Sequence, residues 1–223
     1  MCKNLYDLID LGRAVSKYCI GLEGNVSTKN DNQIFIKASG SKLKDLSTNN
    51  IVGFNFEGEQ ISNHKKRGSM ELGFHTFLLG MDNIKFVAHT HPVNCVKILS
   101  TKHSKTFATK RIFPDQVIFN GKKSCLVQYA KPGDELTEKI KECVNNFIKD
   151  EGYFPKLILL QNHGIISCGE SVEECILISD ICEKSAEIFL GSMLLGDFNP
   201  LNESDVDNLL SDDKEKYRKN LIK

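Results

Sequence analysis

The sequence predicts an α/β fold in which helices and strands form separate layers. Its 223 residues suffice for one large domain whose core needs no disulfide or metal to hold it together. Apolar residues recur at helical spacing in some segments and at strand spacing in others, in mixed order along the chain. No internal repeat, long flexible linker or strand–GxGxxG–helix unit is found, so neither a repeat architecture nor a dinucleotide-binding fold is supported.

The first third predicts one helix followed by short strands. Residues 5–18 carry apolar side chains at approximately helical spacing, although Gly12 weakens the pattern. The segments GNVS, QIFIKAS and IVGFNF then have the composition of short strands, separated by the turn-forming stretches NDN and GSKLKD.

The middle of the chain alternates helices with strands. A helix is predicted over residues 69–80, bounded by glycines. The segment IKFVAHTH predicts a strand, and Pro92 after it suits the first position of a following helix. Residues 134–149 predict an amphipathic helix.

The last third contains a buried strand and a long helix. The nearly all-apolar run KLILLQN predicts a central strand buried on both faces. A capping box, Ser171-x-x-Glu174, opens the long helix that follows. Residues 201–223 are polar and highly charged, and we expect short surface helices or a mobile tail outside a domain of residues 1–200.

Charge and composition narrow the classes of function. The 29 Lys and Arg residues balance 29 Asp and Glu, which argues against the basic surface of a nucleic-acid-binding protein and against a polybasic membrane anchor. No apolar run is long enough to span a bilayer, and Asp7 and Asp10 stand where a signal peptide would be apolar. We therefore expect a cytoplasmic protein whose partner is a small molecule or another copy of itself.

The eight cysteines do not form a recognisable framework. They are scattered, include no CxxC, and mostly lie in apolar company. We expect free thiols that act as small buried hydrophobic residues.

Three histidines predict a metal site. His89 and His91 lie two apart at the end of a predicted strand, so both imidazoles project from one face. His163 follows the buried run LILLQN, at the strand end where ligand sites of α/β sheets gather. Three imidazoles without a fourth protein ligand describe a catalytic divalent site, most simply Zn²⁺, with a position left open. The alternative is that His163 only caps the strand end by hydrogen bonding.

Glu71 is the candidate acid–base residue. It falls in the first turn of the helix predicted over 69–80, where the helix dipole favours a carboxylate. His75 lies four residues later on the same face. It is a possible fourth ligand or a residue that orients Glu71, while a buried histidine with satisfied hydrogen bonds is the alternative.

A possible anion site comes from three glycine-containing stretches, Gly24-Asn25-Val26-Ser27, Ala38-Ser39-Gly40 and Gly68-Ser69. Glycines let backbone N–H groups approach an oxyanion, and Ser or Asn side chains add donors. The candidate binding residues are Asn25, Ser39, Gly40 and Ser69. Each stretch taken alone is also compatible with an ordinary turn.

The motifs GNVS, KASG, SME, HTHP and QNHG follow one another in this order within residues 8–195. In order and separation they resemble the class II aldolase/adducin-head family, which includes fuculose-phosphate and rhamnulose-phosphate aldolases and ribulose-phosphate 4-epimerase. The resemblance implies a three-layer α/β/α fold with a central mixed sheet and a homotetramer.

The resemblance also implies roles for the candidate residues. It implies Zn²⁺ or another divalent metal on His89, His91 and His163, a proton shuttle at Glu71, and phosphate binding by Asn25, Ser39, Gly40 and Ser69. One departure bears on the phosphate: the aldolase motif often has Ser-Ser-Glu, where this chain has Met70 between Ser69 and Glu71.

The resulting hypothesis is an enzyme, a zinc-dependent aldolase-like lyase. It would cleave a ketose phosphate or related sugar by a retro-aldol reaction through a zinc-stabilised enediolate. The alternatives are a sugar-phosphate 4-epimerase, decarboxylase or dehydratase that uses the same metal site, and a non-catalytic oligomeric scaffold similar to the adducin heads.

Overall fold

A seven-stranded mixed sheet organises the protein, whose structure is a computed structural model that describes residues 3–62 and 65–221. The strand order is β3-β2-β1-β4-β7-β6-β5, and neighbouring strands are antiparallel except β5 and β6, which are parallel. The strands are β1 Asn25–Asn30, β2 Gln33–Lys37, β3 Ile51–Asn55, β4 Phe86–Thr90, β5 Cys125–Val127, β6 Leu157–Leu160 and β7 Gly164–Gly169.

Helices connect the strands and extend beyond the last one. Within the described residues they are α1 Lys3–Val15, α2 Leu72–Leu79, α3 Val93–Leu99, α4 Ser104–Thr109, α5 Pro114–Asn120, α6 Asp134–Glu151, α7 Val172–Leu194, α8 Glu203–Ser211 and α9 Asp213–Asn220.

The sheet is buried on both faces because successive strand side chains point in opposite directions. On β4, Val87 packs in one cluster with Phe74 of α2 and Leu136 of α6. Phe86 and Ala88 of the same strand pack in a second cluster, with residues of α1 and α7. Helices on both faces give the three layers of the predicted α/β/α fold, which is confirmed.

Two local predictions are corrected. The helix α2 begins at Leu72, so Glu71 is its N-cap residue, with non-helical dihedral angles of φ −98° and ψ 13°, and does not lie in the first turn. Likewise Pro92 is the extended N-cap of α3, with ψ 131°, and not its first helical residue. In both cases the backbone of the N-cap residue lies outside the helical region, and the helix begins at the next residue.

The run KLILLQN forms β6, and all four of its strand residues are buried. It is not the central strand, because β5 pairs with it on the outer side. β5 has only three residues, too few for a recognisable alternating pattern. The central strand is β4.

The charged C-terminal segment forms the helices α8 and α9, so the expectation of short surface helices is confirmed, and that of a mobile tail is not. Lys122, just after α5, makes an ion pair with Asp207 of α8 at 2.7 Å. Arg218 of α9 pairs with Asp115 of α5 and lies over the ring of Phe119. These helices therefore contact α5, while a division at residue 200 stays a prediction.

Two further expectations concern membranes and thiols. Among the helices of the described segments, none combines the length and the apolarity that crossing a bilayer requires. The seven cysteines within those segments are free thiols, and five of them are buried. Cys2 lies outside the described residues.

Candidate metal centre

The three predicted histidines lie together at one end of the sheet. The Nε2 atoms of His89 and His91 are 3.1 Å apart, and the ring centroids of the three imidazoles are 4.8 to 5.0 Å apart. One nitrogen from each ring lies within 4.8 Å of the other two. The structure therefore brings together the residues that the sequence predicts as a metal site.

Strand pairing explains this meeting. His89 belongs to β4, and His91 follows the last residue of that strand. His163 lies in the turn between β6 and β7, where its N–H donates to the Leu160 carbonyl at 3.2 Å. Asn162 in this turn has a left-handed backbone, φ 56°, which asparagine tolerates better than most residues. Because β4 and β7 are antiparallel neighbours, the last residues of β4 and the first residues of β7 lie at the same end of the sheet.

The protonation of the imidazoles suits a cation. His89 donates its Nδ1–H to the carbonyl of Ile165 at 2.9 Å, which leaves a lone pair on Nε2. The Nδ1 of His91 faces the carboxylate of Glu23 at 3.5 Å, so the Nε2 of His91 is also left with a lone pair. Burial lowers the pKa of both imidazoles to about 4, and both are uncharged at neutral pH.

These lone pairs fit a divalent metal. Two nitrogen lone pairs 3.1 Å apart repel each other unless a proton or a cation lies between them. Two ligands at about 2.0 to 2.1 Å from one tetrahedral Zn²⁺ are separated by about 3.3 Å, which is close to the observed distance. Burial also lowers the pKa of His163 to about 4, so the third imidazole is available as a neutral ligand.

Glu71 lies beside the three histidines and is only 6% exposed. Its Oε2 is 3.6 Å from Nε2 of His89, and its Oε1 is 3.9 Å from Nε2 of His163. The amide of Asn25 donates to Oε2 of Glu71 at 2.6 Å. Asn25 is placed there by the sheet, because it pairs with His89 across β1 and β4.

A chain of buried hydrogen bonds continues from Asn25 to His75. The Nε2–H of His75 donates to Oδ1 of Asn25, and the hydroxyl of Ser27 donates to Nδ1 of His75 at 2.6 Å. Burial holds the pKa of His75 well below 6.5, so the ring is neutral and can donate with one nitrogen while it accepts with the other. His75 is thus a buried histidine with satisfied hydrogen bonds, and it is connected to Glu71 through Asn25.

One cavity of about 220 Å³ joins all the predicted site residues. It is lined, among others, by Asn25, Ser39, Gly40, Ser69, Glu71, His89, His91 and His163. A larger cavity, of about 550 Å³, is lined by residues such as Ile84, Phe119 and Phe154 and by none of the predicted site residues. Convergence of chemical groups, and not size, therefore identifies the candidate site.

Two residues of this cavity were missed from the sequence. The ammonium of Lys37 is buried, and it donates to the carbonyls of Leu22 at 3.2 Å and Ser41 at 2.6 Å. Burial lowers the pKa of Lys37. Glu23 is the second residue, and it directly precedes the GNVS motif. The sequence signal that could have found them is their position: each directly precedes a glycine-containing stretch that is predicted to bind an anion.

Comparison with known proteins settles the family. A sequence model of the class II aldolase and adducin N-terminal domain matches residues 7–190. The chain belongs to this family. The resemblance seen in its motifs is therefore confirmed, and with it the classification as a class II aldolase-type enzyme.

Individual relatives cover most of the chain. An L-fuculose phosphate aldolase of Methanococcus maripaludis is 30% identical over 190 residues, which are 84% of this chain and 91% of the relative. A 3-oxo-tetronate 4-phosphate decarboxylase of Haemophilus influenzae is 26% identical over 191 residues, which are 82% of this chain and 84% of the relative. These two family members carry names that describe different reactions.

Solved structures show the same fold. An L-fuculose 1-phosphate aldolase superposes with a TM-score of 0.78 at 17% identity over 98% of each chain. The YgbL protein of Escherichia coli superposes with a TM-score of 0.76 at 22% identity, over 93% of this chain and 98% of the other. At these identities the comparison supports the fold alone.

The lowered histidine pKa values predict how the stability of the metal-free protein depends on pH. In the unfolded chain the histidine pKa is about 6.5, whereas each of the three imidazoles has a pKa of about 4 in the folded protein. Between pH 6.5 and 4 the unfolded chain therefore binds more protons. The free energy of unfolding should fall as the pH is lowered through this window, by up to about 1.4 kcal/mol per pH unit for each histidine.

Urea unfolding of chelator-treated protein at several pH values measures this slope. His163→Asn removes one titrating imidazole, so its slope should be shallower than that of the wild type. Equal slopes for the two proteins would contradict the assignment of a neutral, partly buried His163.

Gly164 offers a second test of the packing at the site. A Cβ atom there would lie 2.5 Å from the carbonyl oxygen of Thr90 and 2.6 Å from Cδ2 of His91. Gly164→Ala should therefore force β4 and β7 apart at the histidines and lower the free energy of unfolding by about 1–3 kcal/mol. Gly191→Ala in α7 is the matched control, because a Cβ there meets nothing within 4 Å. Urea unfolding that shows no loss for Gly164→Ala would refute this close approach.

Proposed function

We propose that this protein is a metal-dependent aldolase that cleaves a ketose phosphate or related sugar. The observation that carries the proposal is the buried carboxylate of Glu71 beside three uncharged imidazoles, in one cavity with hydrogen-bond donors for an anion. Membership in the class II aldolase family and the aldolase relatives support it.

We assign the divalent ion, Zn²⁺ in the simplest case, to His89, His91 and His163. When bound, it supplies a Lewis acid that favours negative charge on the oxygens of the substrate. Neutral imidazole ligands take away less of the ion's positive charge than anionic ligands would, which strengthens this effect.

Glu71 is assigned the proton transfer to carbon. In retro-aldol cleavage one carbon–carbon bond breaks, a base takes the proton of the hydroxyl that becomes the aldehyde oxygen, and the carbon left behind gains a proton, so one proton moves in net from oxygen to carbon. The carboxyl group of Glu71 lies 3.6 Å from His89 and 3.9 Å from His163, and we assign it the delivery of that last proton to a substrate bound at these histidines. Asn25 fixes one of its oxygens through a 2.6 Å hydrogen bond, which limits the rotation of the carboxyl group.

We assign the phosphate of the substrate to the polar groups that line the same cavity. Asn25, Ser39, Gly40 and Ser69 line it and carry side-chain or backbone donors, and Asn25 also binds Glu71. Lys37 adds a buried cation to the same lining. Met70, which replaces the second serine of the common aldolase motif, is 70% exposed and contributes no hydroxyl.

A sugar-phosphate decarboxylase is the second candidate. The specific observation in its favour is the decarboxylase relative from Haemophilus influenzae. Loss of carbon dioxide from a 3-oxo acid leaves the same kind of electron pair beside a carbonyl group. It therefore uses the same Lewis acid and the same proton donor to carbon.

Product analysis tests the proposal and separates the candidates. The purified protein, supplied with Zn²⁺, is incubated with a panel of ketose 1-phosphates, unphosphorylated ketoses and 3-oxo sugar-acid phosphates. An aldolase releases dihydroxyacetone phosphate and an aldehyde from a ketose 1-phosphate, whereas a decarboxylase releases carbon dioxide from the acid. The absence of carbon–carbon cleavage on every ketose would refute the aldolase assignment.

Two variants assign roles within the same assay. Glu71→Gln should retain bound metal and lose turnover by about 10²–10⁴-fold, because the amide cannot carry the proton. His91→Ala should lower the metal content of the purified protein, because it removes one of three ligands. Unchanged turnover in Glu71→Gln would refute its role, and a wild-type protein without divalent metal would favour a non-catalytic scaffold.

We propose further that the protein is a cytoplasmic homotetramer. Exposed apolar side chains support association between copies: Leu22 and Met70, which line the cavity, are 57% and 70% exposed, and Ile20, close to Leu22 in sequence, is 77% exposed. Sedimentation velocity should give a mass four times that of the 25.1 kDa chain. A monomer at micromolar concentration would contradict the tetramer.

A further inference from the structure

Glu23 contacts a metal-site histidine on the side that faces away from the other two. Its Oε2 is 3.5 Å from Nδ1 of His91, whose Nε2 is 3.1 Å from Nε2 of His89. The same carboxylate oxygen accepts the backbone N–H of Ile20 at 2.9 Å. One end of Glu23 is thus tied to its own loop while it faces the imidazole.

The loop that carries Glu23 is pressed against β4. Gly24 has a left-handed backbone, φ 68°, and a Cβ on it would lie 2.8 Å from the carbonyl oxygen of His89 and 2.4 Å from Sγ of Cys19. The backbone N–H of His91 also donates to the carbonyl of Tyr18 at 3.2 Å. These contacts hold the loop close enough to β4 for a glutamate side chain to reach His91.

The three histidines differ in what holds their outer nitrogens. His89 donates to the backbone carbonyl of Ile165. Nδ1 of His163 is buried and has no hydrogen-bond partner among the described residues. Within the described residues, His91 is the one of the three metal-site histidines whose Nδ1 faces a carboxylate.

A carboxylate in this position acts on the metal through the imidazole. Facing Nδ1 at 3.5 Å, it favours the tautomer with the proton on Nδ1 and the lone pair on Nε2, restricts rotation of the ring, and makes the ring a stronger electron donor. A negative charge here also offsets part of the positive charge of a bound cation without occupying a coordination position. Both effects favour metal binding and leave the remaining positions free.

We propose that Glu23 is a positioning residue for His91 and raises the affinity of the site for a divalent metal. This inference rests on the proposed function only in that the three histidines bind the metal. Glu23 itself is not a ligand, because Nε2 of His91 is the nitrogen directed at the other imidazoles.

Metal titration of the purified full-length protein tests the inference. After metal removal with a chelator, Zn²⁺ is titrated in competition with a chromophoric chelator, for the wild type and for Glu23→Gln. The glutamine keeps an oxygen for the Ile20 N–H and removes the charge. The dissociation constant for Zn²⁺ should rise by about 10–100-fold. Because the side chain of Glu23 is 42% exposed, the urea midpoint of the metal-free variant should equal that of the wild type.

Matched measurements separate a contact effect from general attraction. Glu57→Gln removes an equal charge from an exposed residue beyond β3 and should leave the dissociation constant unchanged. The difference between Glu23→Gln and the wild type should persist at 0.5 M NaCl, where attraction over more than about 4 Å is screened. The visible spectrum of the Co²⁺-loaded protein should also change in Glu23→Gln, because the orientation of one ligand changes.

The possible failures are distinguishable. If the wild type binds Zn²⁺ tightly and the dissociation constant of Glu23→Gln is within twofold of the wild-type value, the role of Glu23 is refuted, while the proposed function stands. An equal loss in Glu57→Gln would attribute the effect to net charge and would also overturn the inference. A wild-type protein that binds no divalent metal would refute the proposed function itself.

Discussion

The pairing of β4 with β1 on one side and β7 on the other is the constraint on which the candidate site depends. Antiparallel registers set Asn25 opposite His89 and set His89 opposite Ile166. The first pairing delivers the amide that holds Glu71, and the second delivers the turn that carries His163. A shift of either register by one residue would turn these side chains to the other face of the sheet. The core packing on both faces of β4 therefore also specifies the geometry of the site.

Burial has opposite consequences for the imidazoles and for the carboxylate at this end of the sheet. It disfavours the charged form of an imidazole and so keeps the histidines neutral, which is the form that binds a metal. For the carboxylate of Glu71, burial must be offset by hydrogen bonding and by nearby positive charge. The Asn25 amide provides the first. A cation among the histidines would provide the second, so the same burial that prepares the ligands also favours the presence of the ion.

The sequence predicts those parts of the site that local spacing specifies. His89 and His91 could be paired because two residues on one strand share a face, and His163 because a glycine follows it at the end of an apolar run. The start of α2 could not be predicted to the residue, and Glu71 lies just before the helix. The Asn25–Glu71 bond depends on contacts between residues 46 positions apart. The burial of Lys37 depends on two backbone carbonyls whose positions no spacing rule predicts.

Because the net charge of the chain is zero, attraction of the proposed anionic substrate depends on local groups. The cavity is lined by two carboxylates, Glu23 and Glu71, and by one ammonium, Lys37, so the formal charge of these groups is −1. Uncharged histidines do not alter this sum. A divalent cation held by them would change the sum from −1 to +1, which would reverse the sign of the potential that the proposed sugar phosphate meets on entry. Binding of metal and binding of an anion are therefore coupled by charge alone, before any chemical step is considered.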